Sequence, residues 1–373
     1  MPLKIFHTGD IHLGMTFKTR NYPEHLRKRL VDARHNTLAK MVERANQEKC
    51  DVFMIAGDLF HRTSIPREAV LKTLEIMSKF NGSCVAVLPG NHDYYDEFSP
   101  LWKNVRDNAF DSLVLLSEIV PYSLAEYGLD AVLYPAPCDR KHSPENKLGW
   151  IRELEERPGA RWHLGAAHGS VRGISPDFES QYFPMEEGEI FELKLDHCFI
   201  GHTHIRYPDL DNVSRAVYAY CGTPEPDGFD CSHQGFAWIT TMDEEGNLES
   251  ESITTGEFRF REIKKEIHSL EELEELIDEF VEDGENNLVK LVLTGSLPQE
   301  DYQSRLNILA EMEQCLVYIE VDDSDLCVEI SPHTISAEFS EGSFPYLLLS
   351  NLAQRGENEA LQLAYQLIKK VKK

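Results

Sequence analysis

Five short polar signatures, each standing directly after an apolar run, constrain this chain more than any other feature: Asp10-Ile11-His12, Gly57-Asp58-Leu59-Phe60-His61, Gly90-Asn91-His92-Asp93, His168-Gly169 and Gly201-His202-Thr203-His204. The runs before them read as strands at Lys4 to Thr8, Asp51 to Ala56, Cys84 to Leu88, His163 to Ala167 and Asp196 to Ile200. Further strand patterns lie at Ala131 to Tyr134, Val217 to Tyr220 and Phe236 to Thr240. Amphipathic stretches separate the runs, so a layered α/β domain is expected through residue 240. In open α/β sheets the carboxyl ends of the strands line the ligand crevice, and the five signatures should converge there.

Their donor types add up to a metal centre. Asp10, Asp58, the Asn91 carbonyl, His12, His168, His202 and His204 offer seven nitrogen and oxygen donors. That number suits two ions sharing one carboxylate and keeping open positions, whereas a single zinc site needs only three or four. Asp58 is the best bridging candidate because each of its two oxygens can take one metal. Two dications held by two carboxylates leave the centre net positive by about two charges, which attracts phosphate. A lone D-x-H or G-H-x-H is a common chance pattern, and a lone histidine after a strand is more often structural; five fragments in order with the correct donor total are not dismissed that way. The other histidines (His7, His25, His35, His142, His163, His197, His233, His268 and His333) lack such partners and read as structural or surface residues.

Charge is unevenly spread. The formal net charge is -27, but residues 1–240 hold 26 Lys+Arg against 34 Asp+Glu while the remainder holds 11 against 30. The acidity therefore belongs mostly to the last third, and as a whole the chain repels nucleic acid and acidic membranes. The sizeable basic stretch is residues 18–49, with nine Lys/Arg and four Asp/Glu, on the outer face of an expected helix within residues 23–49. The eight cysteines form no C-x-x-C pair and read as reduced packing residues. No window approaches the ~18 unbroken apolar residues of a membrane helix, and Met1 runs into the first strand pattern without a signal-peptide core, so a cytoplasmic protein with no membrane partner is expected.

After Gly246 the pattern changes to a small α+β unit. An acidic helix is expected from Ser269 to about Asp283, ended by Gly284, then a strand at Leu288 to Leu293 and a helix at about Gln299 to Gln314. Strands at Leu316 to Val321 and Leu326 to Ile330 follow, with Asp322-Asp323-Ser324-Asp325 as the turn between them. Two apolar helix stripes close the chain: Phe344, Leu347, Leu348 and Leu352, then Ala360, Leu361, Ala364, Leu367, Ile368 and Val371, with Arg355-Gly356 between them and Lys369, Lys370, Lys372 and Lys373 as a basic end. The expected domains are 1–245, 246–341 and 342–373.

The ordered set D-x-H, G-D, G-N-H-D, H-G, G-H-x-H resembles the calcineurin-like metallophosphoesterase superfamily over about residues 3–240. Within it, Asp10-Ile11-His12-Leu13-Gly14 and Gly57-Asp58-Leu59-Phe60-His61, with Tyr220 to Glu225 and Gly235-Phe236, resemble the DNA-repair exonuclease branch that includes SbcD. The resemblance implies a layered metallophosphoesterase β-sandwich flanked by helices, with a smaller α+β capping domain and C-terminal helices. It also implies two divalent ions, Mn²⁺ in the first place with Fe²⁺ or Zn²⁺ as other occupants, one held by Asp10, His12, Asp58 and His204 and the other by Asp58, Asn91, His168 and His202. His92 becomes the catalytic histidine that gives a proton or a hydrogen bond to the departing side, Asp93 either orients it or caps its loop, and His61 guides the DNA end. The implied function is a DNA nuclease, the catalytic subunit of an SbcCD-like repair complex, whose partners are DNA, an SbcC-like coiled-coil ATPase docked on residues 342–373, and a second copy of the chain as a homodimer. The shortage of basic surface keeps open a phosphomonoesterase or small-nucleotide phosphodiesterase on the same centre.

Overall fold

The computed structural model describes residues 2–281 and 286–371. These divide into two compact units, Met1–Phe260 and Arg261–Lys373. With strands and helices numbered in chain order, the first unit holds two sheets. One has seven strands in the order β10 (Asn212–Ser214), β13 (Leu248–Thr254), β12 (Phe236–Met242), β1 (Leu3–Thr8), β2 (Val52–Ala56), β3 (Cys84–Leu88) and β4 (Leu113–Leu115). The other has six, in the order β5 (Tyr122–Ser123), β6 (Ala131–Ala136), β7 (Trp162–His168), β8 (His197–Gly201), β11 (Tyr218–Cys221) and β9 (Arg206–Tyr207). Strands β1 to β4 run parallel, as do β6, β7, β8 and β11, so the loops leaving β1, β2, β3, β7 and β8 all leave carboxyl ends.

Why the strand runs are continuously apolar follows from the layering. Each central strand is covered on both faces, so neither face can be polar. Val52, Met54, Cys84 and Ala86 point between the sheets, where they meet Leu133, Leu164, Ala166 and Phe199 of the other sheet. Their neighbours Phe53, Ile55, Val85 and Val87 point outward onto α1 (Glu24–Gln47), α2 (Arg67–Met77) and α3 (Pro100–Asp107), meeting Leu38, Met41, Leu74 and Trp102. The six-stranded sheet is covered in the same way: Val132, Tyr134, Cys198 and Ile200 pack on Ile151 of α4 (Gly149–Arg152) and Ile190 of α5 (Glu187–Glu192). The unit is a helix, sheet, sheet, helix sandwich, as the alternation of apolar runs and amphipathic stretches predicts.

The first unit runs on past residue 245. Leu248–Thr254 pairs antiparallel with Phe236–Met242, and buried Ser250 is bonded to buried Thr240 across the pair at 2.9 Å. All eight cysteines are free, six of them buried.

The second unit is built on a three-stranded sheet, β14 (Arg259–Ile267), β15 (Asn287–Leu297) and β16 (Tyr318–Val328), with α6 (Leu270–Val281) and α7 (Gln299–Cys315). Leu273, Leu276 and Phe280 from α6 and Ile308 and Met312 from α7 share its core with Val289, Leu291 and Leu293. The stop expected at Gly284 lies outside the described residues. The hairpin expected at Asp322 to Asp325 is not formed: β16 is one strand paired parallel to β15, with a register shift between Val292 and Thr294 opposite those residues. A β-bulge absorbs the one extra residue while the pairing continues. Three helices follow, α8 (Pro332–Glu338), α9 (Phe344–Arg355) and α10 (Asn358–Val371), sharing a small core of Ile330, Ile335, Phe339, Leu349 and Leu361. Gly356 ends α9 at φ 69°, a left-handed cap that turns the chain back.

Candidate metal centre

All ten residues singled out in the sequence gather at the carboxyl ends of the two facing sheets. Four of them have the positive φ that residues with a Cβ disfavour: Asp10, His12 and Asp58, at φ 51°, 52° and 52°, and His202 at 106°. Non-glycine residues there cost on the order of 1–3 kcal/mol each and persist only where the surroundings over-determine them. Here the fastening is visible. His12 N–H donates to Asp58 O at 2.9 Å, Asp10 N–H to Gly57 O at 3.1 Å, and Thr223 Oγ1 to Asp10 O at 2.9 Å. Gly57 is required by space as well: a Cβ on it would fall 2.0 Å from His168 Nδ1.

The donors form a chain across the crevice. His204 Nε2 lies 3.1 Å from His12 Nε2, and His12 Nε2 lies 3.7 Å from Asp58 Oδ2. Asp58 Oδ2 lies 3.4 Å from His168 Nε2, which lies 3.0 Å from Asn91 Oδ1. Asn91 Oδ1 in turn is 3.3 Å from His202 Nδ1. Two sets have donor atoms within 4.8 Å of one another, Asp10–His12–His204 and Asp10–Asp58–His168, and His12–His61–His92 make a third. Asp10, His12, Asp58, Asn91 and His168 are all buried.

Which atoms carry protons shows why this arrangement suits cations. His168 Nδ1 faces Ala56 O at 2.9 Å, and a carbonyl only accepts, so Nδ1 carries a proton, while Nε2 faces the oxygens of Asn91 and Asp58. A ring nitrogen facing two oxygens in a buried site needs a positive charge between them, which a proton on Nε2 or a bound cation supplies. The electrostatics agree. Burial disfavours a charged His168, yet Asp58 and Asp10 raise it to about 9. Burial likewise pushes Asp10 up to about 6, and Asp58, although buried, is held below the usual carboxylate range by His168 and His12. The donor set stabilises positive charge at its centre, and divalent cations fit it.

His92 and His61 stand at one edge. His92 Nδ1 is 3.0 Å from His61 O, the two rings are 5.3 Å apart, and the His92 N–H donates to Asp58 Oδ1 at 2.8 Å. Burial and then His92 push His61 down to about 4. Asp93 lies behind the loop: Oδ2 accepts from Phe60 N at 2.9 Å and Oδ1 from Gly90 N at 2.7 Å, which ties the second signature to the third.

Two residues at the centre are absent from the sequence reading. Arg34, counted there among the basic face of the first helix, is 1% exposed and donates through Nη1 to Ile11 O at 2.6 Å. Asp227 lies 3.5 Å from Arg34 Nη2 and 3.8 Å from His204 Nδ1. Although partial burial pushes the other way, Asp227 is held below the ordinary carboxylate range by His204 and Arg34.

Carboxylates, imidazoles and one amide at the strand ends of a layered α/β sandwich make a candidate centre for divalent cations. The family profile of the calcineurin-like phosphoesterases matches residues 3–206, and the chain belongs to that family, whose members hydrolyse phosphate esters. Curated relatives include the uncharacterized metallophosphoesterase YhaO of Bacillus subtilis, 25% identical over 55% of this chain and 49% of that protein. The DNA double-strand break repair protein Mre11 of Methanopyrus kandleri is 26% identical over 87% of this chain and 73% of its own length. The SbcD component of the SbcCD nuclease of B. subtilis is 23% identical over 64% of this chain and 66% of its own. The chain thus spans about half the length of YhaO. Among solved structures, TT1561 of Thermus thermophilus aligns at 11% identity and TM-score 0.38 over 65% of this chain and 98% of that one.

Proposed function

We propose that the chain is a two-metal-dependent DNA nuclease, an exonuclease or phosphodiesterase that acts as the catalytic subunit of an SbcCD-like DNA repair complex in the cytoplasm. The observation that carries this reading is the pairing of His61 with His92 at the edge of the donor cluster. It joins the Leu59-Phe60-His61 extension to the histidine expected to meet the departing oxygen. The alignment with Mre11 supports it, because it covers 352 residues and so extends past the 3–206 segment common to the family.

In this reading Asp10, His12, Asp58 and His204 hold one ion and Asp58, Asn91, His168 and His202 the other, with Mn²⁺ favoured by the mixed imidazole and carboxylate donors and Fe²⁺ or Zn²⁺ as alternatives. Two such ions lower the pKa of water and neutralise charge on the phosphate oxygens. The chain's own residues do the rest. Because the His61 carbonyl accepts from His92 Nδ1, a neutral His92 has a bare Nε2, and only the doubly protonated ring offers a proton there. The bond from the main-chain N–H of His92 to Asp58 Oδ1 ties the His92 backbone to that carboxylate, and the Nδ1 contact with His61 O sets the ring. Asp93 keeps the two loops in register through Phe60 and Gly90.

The proposed partners are DNA, an SbcC-like coiled-coil ATPase and a second copy of the chain. The C-terminal stripes divide between packing and display: Leu352, Leu361, Ala364 and Ile368 join the small helical core, whereas Phe344, Leu347, Leu367 and Val371 remain exposed. The exposed set suits an apolar helix seam. Lys369 is paired with Glu338, and Lys372 and Lys373 lie outside the described residues. The net charge of -27 favours a second reading, a phosphomonoesterase or small-nucleotide phosphodiesterase. Labelled linear duplex DNA and a chromogenic phosphate ester, each assayed with Mn²⁺, with Mg²⁺ and without metal, separate the two. Metal-dependent degradation of the DNA supports the nuclease; ester hydrolysis with intact DNA, even with an SbcC-like ATPase added, supports the alternative.

A further inference from the structure

We infer that the ion pair of buried Arg34 with half-buried Asp227 is a positioning device for one of the two ions only, setting the affinity of the Asp10–His12–Asp58–His204 position and leaving the Asn91–His168–His202 position alone. The inference rests on the two-metal reading above. It begins from a cost: a charged guanidinium in the middle of a helix, 1% exposed, is retained in a dry site only where it is paired. Its contacts converge on three donors of one set. Nη1 donates to Ile11 O at 2.6 Å, the carbonyl between Asp10 and His12, and so fastens a turn whose two donors both have left-handed backbones. Nη2 lies 3.5 Å from Asp227 Oδ2, and Asp227 Oδ1 lies 3.8 Å from His204 Nδ1. The opposite nitrogen of His204 is the one that faces His12, at 3.1 Å. A carboxylate behind a ligating imidazole fixes the ring and its tautomer and raises its basicity. The other set is held differently: His168 Nδ1 is satisfied by Ala56 O at 2.9 Å, and the Asn91 amide by Lys141 O at 3.4 Å. Among the described residues, no hydrogen bond, ion pair or ring contact of Arg34 or Asp227 reaches Asn91, His168 or His202.

The test is Mn²⁺ titration calorimetry on the full chain as wild type, Asp227→Asn and Asp227→Glu, with circular dichroism of the metal-free proteins alongside. Asn keeps the volume and removes the charge. Asp227→Asn should weaken one of the two Mn²⁺ sites by about 10- to 100-fold, the range for a carboxylate behind a histidine ligand, and leave the other within about twofold. Asp227→Glu should recover most of the loss, which a merely structural role does not predict. Equal weakening of both sites by Asp227→Asn, or no weakening of either, overturns the inference. If Asp227→Asn does not fold, Asp227→Glu decides: binding both ions as tightly as wild type supports the pair, and weakening both equally overturns it. A wild-type protein that binds fewer than two ions overturns the two-metal reading and this inference with it.

Discussion

Gly57→Ala isolates the demand that the centre makes on its backbone. Gly57 sits at φ +92°, and a Cβ there would lie 2.0 Å from His168 Nδ1 and 2.5 Å from its Cγ. The left-handed backbone alone costs an alanine on the order of 1–2 kcal/mol. Pushing the ring aside also breaks the 2.9 Å bond from His168 Nδ1 to Ala56 O and leaves a buried carbonyl unpaired, roughly another 1–3 kcal/mol. The total is about 2–5 kcal/mol. Gly246→Ala is the control, because Gly246 has nearly the same backbone, φ +87°, with nothing within 4 Å of its Cβ position. Urea unfolding of both variants without metal, followed by circular dichroism, should show Gly57→Ala less stable than Gly246→Ala by about 1–3 kcal/mol. Mn²⁺ titration should show the His168 site lost from the first and both sites intact in the second. If the two variants unfold together and both bind two ions with parental affinity, the account of how this backbone seats His168 is wrong.

Other expectations follow from the same contacts. His92→Gln should keep both ions and the fold while lowering phosphodiester turnover by about 10²- to 10⁴-fold, and Asp58→Ala should lose metal as well as activity; both are read by kinetics beside metal analysis. Replacing His61 should reduce degradation of duplex ends more than cleavage of single strands, measured on matched labelled substrates. Glu225→Ala removes the acceptor of Thr37 Oγ1 at 2.5 Å and of the Glu257 and Phe258 N–H groups at 2.8 and 2.9 Å, and should destabilise the protein by about 2–5 kcal/mol in chemical denaturation. Leu347→Glu with Leu367→Glu, both at exposed positions, should abolish co-purification with an SbcC-like ATPase while hydrolysis of a small ester persists.

How much of this the sequence makes legible depends on whether a residue's role is written in its neighbours. The central strands are legible because burial on both faces leaves unbroken runs such as Val52–Ala56, and the donors because each follows such a run directly. The turn at Asp322 to Asp325 misleads, because four polar residues look the same in a hairpin and in a strand that bulges against a parallel partner. Strand β13 is hard to assign to the first sheet from its sequence, Leu-Glu-Ser-Glu-Ser-Ile-Thr, whose buried serine is justified only by Thr240 on the neighbouring strand. Arg34 hides among exposed helix cations, since nothing local says that it faces the Asp10 turn. Its partner Asp227 is 193 positions away and follows no apolar strand directly.

Whether these strand ends hold two ions joined by one carboxylate is decided by anomalous diffraction from a crystal soaked in Mn²⁺. Two anomalous peaks about 3.5–4 Å apart are expected, with Asp58 touching both, Asp10, His12 and His204 around one, and Asn91, His168 and His202 around the other. A single peak, or two peaks with Asp58 outside the coordination of either, would contradict it.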